Sequence, residues 1–378
     1  MEKKIDAIEV DGMGLVCGGF LREMWDSDNR PLIVSDFKAT LTGFRDEGAS
    51  KFHFFAYAYD GTGSNQYQSK VCPFRRVTKG ENKGKYNLSQ KNEKYFKLLK
   101  TAVRLIFEAG LEPVPCFFMN RYNELQFRNN VNGVSEFWDE RAERFQIQMI
   151  NWVQETIVAA AKAAGKERKF YYGRLINEPA HNGNSVRFHR IHDWLRNMYE
   201  GSMLKQWVPL KRLYVDTGEC EAHPFMKEHP SPKDPNFIIG DNRYLTPNGK
   251  AQIRIINHGY SIPENIGPEF YLWAKSPSWP KPSMWYAGGD GGSGNADLAK
   301  GHKLKDPNGR VLWSQGDEEQ TYRMCREIFR EAENKNKLAG YQITFFETLV
   351  GWPLREDFRM AELGRLRAAA RAYKEIHP

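Results

Sequence analysis

The sequence is sparing with cysteine and arranges it in no pattern. Its 378 residues include Cys17, Cys72, Cys116, Cys220 and Cys325, widely spaced, with no Cys-x-x-Cys pair and no Cys/His ligand spacing. That excludes a zinc-finger layout, and an odd number argues for reduced thiols over a disulfide framework. Long apolar runs are also missing: no stretch approaches the ~20 residues that span a bilayer, so no membrane association is expected. The opening residues, Met1-Glu-Lys-Lys-Ile-Asp6, are charged with no apolar stretch behind them, so no export signal is expected. On that reading the chain is cytoplasmic as written, or secreted if an export signal was trimmed. The glycine-rich stretch Gly288–Gly294 lacks the Gly-Lys-Ser/Thr ending of a phosphate loop. Asp60-Gly-Thr-Gly-Ser-Asn65 and Asp290–Asp297 are oxygen-rich but lack EF-hand spacing, so neither metal nor cofactor is expected.

Dense charge of one sign is absent too. The formal charge is +8, from 55 basic and 47 acidic residues, but the basic residues are mixed with acids along the chain. With no basic arm, the charge reads first as solvated surface and no nucleic-acid partner is expected, while attraction to an acidic polysaccharide stays open.

What is present is a repeated alternation of amphipathic helical stretches with short runs rich in Val, Ile, Phe or Tyr that end in polar residues or glycine. This is the signature of βα units and a parallel sheet. Eight runs are expected as strands: 14–20, 51–57, 113–119, 172–179, 212–216, 252–258, 283–288 and 341–346. Helices are expected near 36–47, over 92–109 with Gly110 as the stop, from about 136 to 164 with Gly165 as the stop, and over 186–200, 317–334 and 359–375. Eight strands closed by a final helix imply an α/β fold of the (β/α)8 TIM-barrel type. A doubly wound sheet would show a phosphate-binding turn after the first strand, and none is there. The stretches 223–250 and 261–282 and the glycine-rich stretch after the seventh run read as long loop insertions after strands five, six and seven. One domain, 1–378, and a monomer are expected.

Barrel sites lie at the carboxyl ends of the strands. The polar residues closing the runs are Asp60, Asn120 and Arg121, Asn177 and Glu178, Asp216, His258 and Tyr260, Asp290, and Glu347. Carboxyls, an imidazole and a phenol converging on one mouth suit acid/base work on a polyhydroxylated substrate. Glycoside hydrolysis needs two carboxyls flanking the bond, one to protonate the leaving oxygen and one to attack carbon or activate water.

Ile176-Asn177-Glu178-Pro179, closing the fourth run, resembles the Asn-Glu-Pro signature of the clan A retaining glycoside hydrolases, the cellulase and mannanase superfamily. The resemblance implies Glu178 as acid/base and Asn177 as the partner of the substrate 2-hydroxyl. His258-Gly-Tyr260 is similar to a His-x-Tyr pair that several of these families carry after strand six, contacting substrate and nucleophile. Trp352 stands where the family often puts an indole against sugar, and Trp25, Trp285 and Trp313 are further candidates, better read as core. The substrate implied is a poly- or oligosaccharide, β-linked, with Asn120 and Asp216 among its contacts.

The pattern breaks at strand seven. The family carries a Glu nucleophile there, whereas this chain has Asp290 in Gly288-Gly-Asp-Gly-Gly-Ser-Gly294. Aspartate is one methylene shorter, which widens the gap to Glu178 by roughly an ångström, from the retaining spacing of about 5–5.5 Å toward the inverting range. Glu347, after strand eight, is the second candidate. A non-catalytic carbohydrate-binding barrel is the alternative. His53 falls in the second run, where an Arg is common, and reads either as its replacement or as a core histidine.

Overall fold

The computed structural model describes residues 8–11, 30–46, 49–56, 72–119, 126–166, 173–177, 191–208, 213–216, 254–259, 284–287, 304–305, 311–312, 322–323, 326, 345–346, 371–372 and 375. In chain order the strands are β1 (Ile8–Asp11), β2 (Ala49–Phe55), β3 (Phe74–Arg76), β4 (Tyr86–Lys91), β5 (Glu112–Met119), β6 (Gly173–Asn177), β7 (Leu213–Asp216), β8 (Arg254–Gly259), β9 (Met284–Ala287), β10 (Leu304–Lys305), β11 (Val311–Leu312) and β12 (Phe345–Phe346). The helices are α1 (Arg30–Asp46), α2 (Glu93–Glu108), α3 (Glu143–Ala163), α4 (Ile191–Gly201) and α5 (Leu204–Trp207).

Strands β1, β2, β5, β6, β7, β8, β9 and β12 form one eight-stranded sheet in that order. Every neighbouring pair is parallel. The strand order follows the chain order, with no reversal of the kind a doubly wound sheet has. The two outermost strands, β1 and β12, also lie close to each other.

The helices form where pattern and caps agree. In α2 the Asn92 side chain accepts from the Tyr95 amide, Glu93 sits in the first turn, and one face carrying Leu99, Val103 and Ile106 is buried. The chain leaves it through Gly110 at φ +86°, a left-handed conformation that glycine adopts without strain. In α3 the buried stripe is Phe145, Met149, Val153, Ile157 and Ala160, and Gly165 at φ +67° ends it. Strand β5 is buried from Pro113 to Phe118, a continuous run of the kind a strand covered on both faces needs. Its two prolines lack ladder donors. The pairing with β6 begins at Cys116, beyond both of them.

Three expectations shift. The run 14–20 lies outside the described residues, and the first strand is Ile8–Asp11 instead. Helix α3 starts at Glu143, not near 136, because Asp139 accepts from the backbone of Ser135 and Arg141 and caps a 3-10 turn, Glu140–Ala142. That turn sends Phe137 and Trp138 into the core. The antiparallel pairs β3–β4 and β10–β11 were not expected from the pattern. The expected insertions 223–250 and 261–282 lie outside the described residues. Of the last two expected helices, Tyr322, Arg323 and Arg326 and Arg371, Ala372 and Glu375 are described, all helical. Glu375 there accepts from the Tyr322 hydroxyl and, at 2.7 Å, from Arg326 Nε, tying the two segments together.

Candidate active site at the carboxyl edge of the sheet

A parallel sheet gathers the carboxyl ends of its strands along one edge, and the register shows which of them are level. Met119, the last residue of β5, is level with Asn177, the last of β6. The chain therefore leaves the sheet toward Asn120 and toward Glu178 from one row of two neighbouring strands. Gly259, Ala287 and Phe346, the last residues of β8, β9 and β12, share another row. Tyr260 and Glu347 follow directly from it, and Asp290 follows three residues after Ala287.

Asn177 and Asp216 are thus the terminal residues of β6 and β7, and His258 is the penultimate residue of β8, level with Tyr286 of β9. These three backbones stand on one edge. Glu178, Asp290, Glu347, Asn120, Tyr260 and Trp352 lie outside the described residues, as do Asp60, Arg121, Trp25 and Trp313. Trp285 is within β9, level with Asn257. His53 is within β2, level with Asp11 and with Val114.

The connection from β5 to α3 borders this edge and is described from residue 126 onward. It is held from below by a cluster of edge-on rings. Phe118, next to the end of β5, meets Phe137 at 5.5 Å and Trp194 of α4 at 5.8 Å between centroids. Phe127 meets Phe137 at 5.3 Å, and Trp138 meets Trp194 at 5.4 Å. Edge-to-face pairs set ring positive edge against ring negative face and favour this arrangement beyond their buried area.

One fully buried amide ties the cluster together. Gln146 of α3 donates from Nε2 to the Phe137 carbonyl at 2.7 Å and accepts at Oε1 from the Trp194 indole at 2.8 Å. Above it, Asn130 donates to the carbonyls of Phe127 and Val134, both at 2.9 Å, and accepts from the Asn132 and Val134 amides. Asp139 has a side chain only 10% exposed. The Arg141 guanidinium beside it, with the backbone and side-chain donors of Arg141 and Ser135, holds its carboxyl well below the usual range. These residues brace the β5–α3 connection against α3 and α4. The sequence marks them only as a density of rings at 127, 137 and 138 and of asparagines at 129, 130 and 132.

Among the described residues, no three His, Cys, Asp or Glu side chains gather as a metal-binding group, and no helix is long and apolar enough to cross a membrane. Cys72 and Cys116 are buried, and burial pushes the Cys72 thiol up to about 12. Neither thiol is poised as a nucleophile.

No family model matches the sequence, and no curated protein matches it. Solved structures do. The chain is similar to a GH5_18 protein from Streptomyces cattleya in complex with GlcNAc, at 11% identity and TM-score 0.52, covering 99% of this chain and 81% of that one. It is similar to a GH5_18 protein from Bifidobacterium longum subsp. longum at 11% identity and TM-score 0.53, covering 98% and 80%. A GH5_18 protein from Bifidobacterium longum subsp. infantis aligns at 12% identity and TM-score 0.50, covering 98% and 79%. At such identities the likeness establishes a shared α/β fold.

Proposed function

We propose that this chain is a glycoside hydrolase in which Glu178 is the acid/base carboxyl. The observation that carries the reading is positional. Glu178 directly follows the last residue of the fourth strand in an eight-stranded parallel sheet whose order matches the chain. Asp216 and His258 stand at the same edge, and the strands that precede Asn120, Tyr260, Asp290 and Glu347 in the chain end there. The fold shared with the GH5_18 structures supports the reading; GH5 denotes glycoside hydrolase family 5.

The sheet closes into a (β/α)8 barrel in this proposal, as one domain over residues 1–378, with long insertions after β7, β8 and β9. Two features support closure. One is the proximity of β1 and β12. The other is a stagger over the first three strands: Asp11, the end of β1, is level with His53, two residues short of the end of β2. His53 is level with Val114, five residues short of the end of β5. Offsets of this kind between neighbours accompany the strand tilt of a barrel. Closure also matters for chemistry. Along an open sheet β6 and β12 stand four strand spacings apart, about 19 Å. Rolling the sheet brings their ends across a common mouth.

Catalysis then needs Glu178 to hold a proton for the leaving oxygen while a second carboxylate stays ionised. Asp290 is that partner, as nucleophile or as the base for water, and Glu347 is the other carboxyl within the same row of strand ends. Asn177, His258, Tyr260, Asn120, Asp216 and Trp352 bind the substrate, a β-linked poly- or oligosaccharide. The GH5_18 proteins are found with GlcNAc and, for an alanine variant, with Manβ1-4GlcNAc. A β-1,4-linked oligosaccharide is therefore the first substrate to try.

A panel of β-linked glycans scored for new reducing ends tests the proposal. Asp290→Asn is expected to lower kcat by several orders of magnitude, and Glu347→Gln far less. The reverse order would move the partner role to Glu347. The absence of glutamate after β9 favours one second reading, a barrel that binds glycan without cutting it. Binding by calorimetry with no turnover across the panel would select that reading.

A further inference from the structure

The β3–β4 hairpin concentrates positive charge in a way the rest of the described chain does not. Between residues 74 and 91 it holds Arg75, Arg76, Lys79, Lys83, Lys85 and Lys91 against the single acid Glu81. The buried side chains are Phe74, Tyr86 and Leu88, so pattern alone turns the cations outward. Three of them are occupied locally. Arg76 Nε donates to the Gly84 carbonyl at 2.9 Å, Lys85 donates to Asn82 at 3.0 Å, and Lys91 lies 4.8 Å over the Phe96 ring. Arg75, Lys79 and Lys83 are exposed, and none makes an ion pair among the described residues. Helix cations are balanced more locally: Lys38 and Arg104 share Glu108, and Lys205 reaches Glu200.

The hairpin is built rigidly and in a telling place. Its turn is closed by Gly84 N to Val77 O and Val77 N to Lys85 O, both 2.8 Å. Gly80 and Gly84 supply the positive φ it needs, at +74° and +92°. Tyr86 exchanges backbone bonds with Asn129 and Val131, both 2.9 Å, and Asn132 accepts from the Leu88 amide at 2.7 Å. The hairpin lies between β2 and α2, and residues 129–132 lie between β5 and α3. Both are strand-to-helix connections, which a parallel sheet places on its carboxyl side, the side of Asn177, Asp216 and His258.

We infer that this hairpin is a binding surface for an anionic polysaccharide, holding the carboxylates or sulfates of a glycan at the rim of the site. The inference rests on the hydrolase reading for the kind of polymer and deepens it by giving that polymer its charge. Fixed cations on a stiff ribbon meet a polyanion without first losing backbone freedom. Single-stranded nucleic acid is the poorer fit. Its binding grooves interleave cations with exposed rings for base stacking, and the rings here, Phe74 and Tyr86, are buried.

The test is affinity electrophoresis of the full chain through three β-1,4-linked polymers, carboxymethylcellulose, cellulose sulfate and neutral hydroxyethylcellulose, at several salt concentrations. Wild type is expected to be retarded by a polyanion and not by hydroxyethylcellulose, with the logarithm of the affinity falling linearly in log salt. The tighter of the two polyanions identifies carboxylate or sulfate. Arg75→Gln/Lys79→Gln/Lys83→Gln is expected to weaken polyanion binding roughly tenfold or more and to flatten the salt slope. Lys162→Gln/Lys166→Gln, at the far end of α3, is expected to change it little, and circular dichroism checks that both variants fold. Unchanged polyanion binding in the triple variant overturns the inference. So does equal binding of neutral hydroxyethylcellulose, or preference for poly(dT) at equal salt. Hairpin-dependent polyanion binding in a protein that cleaves no glycan would overturn the hydrolase reading alone.

Discussion

Gln146→Leu removes an amide that joins the β5–α3 connection to α4, and its cost can be worked from two contacts. Leucine nearly matches glutamine in volume, so little cavity arises. What is lost is a donor to the Phe137 carbonyl at 2.7 Å and an acceptor for the Trp194 indole at 2.8 Å. Gln146 is 0% exposed and Trp194 1%. Both partners are left in an apolar setting, and each buried unsatisfied polar group costs about 1–3 kcal/mol. The sum is roughly 2–6 kcal/mol. Urea unfolding followed by far-ultraviolet circular dichroism measures it, with an unchanged slope showing that the two states are the same. Trp194→Phe removes the orphaned indole N–H, so the double variant is expected to be less destabilised than the two singles combined, by about 1 kcal/mol or more. Strict additivity, or a loss below about 0.5 kcal/mol in Gln146→Leu, would show that the network does not brace the β5–α3 connection.

Other perturbations follow from the same geometry. Asp139 is held below the usual carboxylate range in the folded state, so its stabilisation is present above the ordinary value near ~4 and lost as pH falls through the folded one. Asp139→Asn is therefore expected to be less stable than wild type at pH 7, with the gap narrowing in acid, as thermal melts across pH would show. Gly110→Ala puts a Cβ at φ +86° and 3.2 Å from Arg45 Cδ, which crowds the residue donating to the Ala109 carbonyl. It is expected to cost about 1–2 kcal/mol. Cys72 and Cys116 are expected to stay unmodified by iodoacetamide in the folded protein and to react in urea, by peptide mass mapping; rapid labelling when folded would contradict their burial.

The layout of the sheet was legible because parallel strands buried on both faces read as continuous apolar runs. Pro113–Met119 was expected as a strand and β5 is Glu112–Met119; 212–216 was expected and β7 is Leu213–Asp216. Helix ends with strong signals were legible too, as at Asn92 and Gly110. Less legible was whatever tertiary contact decides. Phe137 and Trp138 suit a helix by local pattern, yet the Asp139 cap and the Trp194 contacts stop the helix before it reaches them. The β3–β4 hairpin escaped notice because its strands are short and its cations resemble ordinary surface. At the site, Asn177, Asp216 and His258 sit at strand ends as their places in the runs implied. The pairing of acid and partner depends on side chains at 178, 290 and 347, where spacing along the chain carries no distance across a mouth.

The most direct measurement is the rate of reducing-end release from a β-1,4-linked oligosaccharide by wild type and by Glu178→Gln, each shown folded by circular dichroism. If Glu178 protonates the leaving oxygen, kcat falls by several orders of magnitude in the variant while binding of the oligosaccharide persists. Full activity in Glu178→Gln would contradict the assignment.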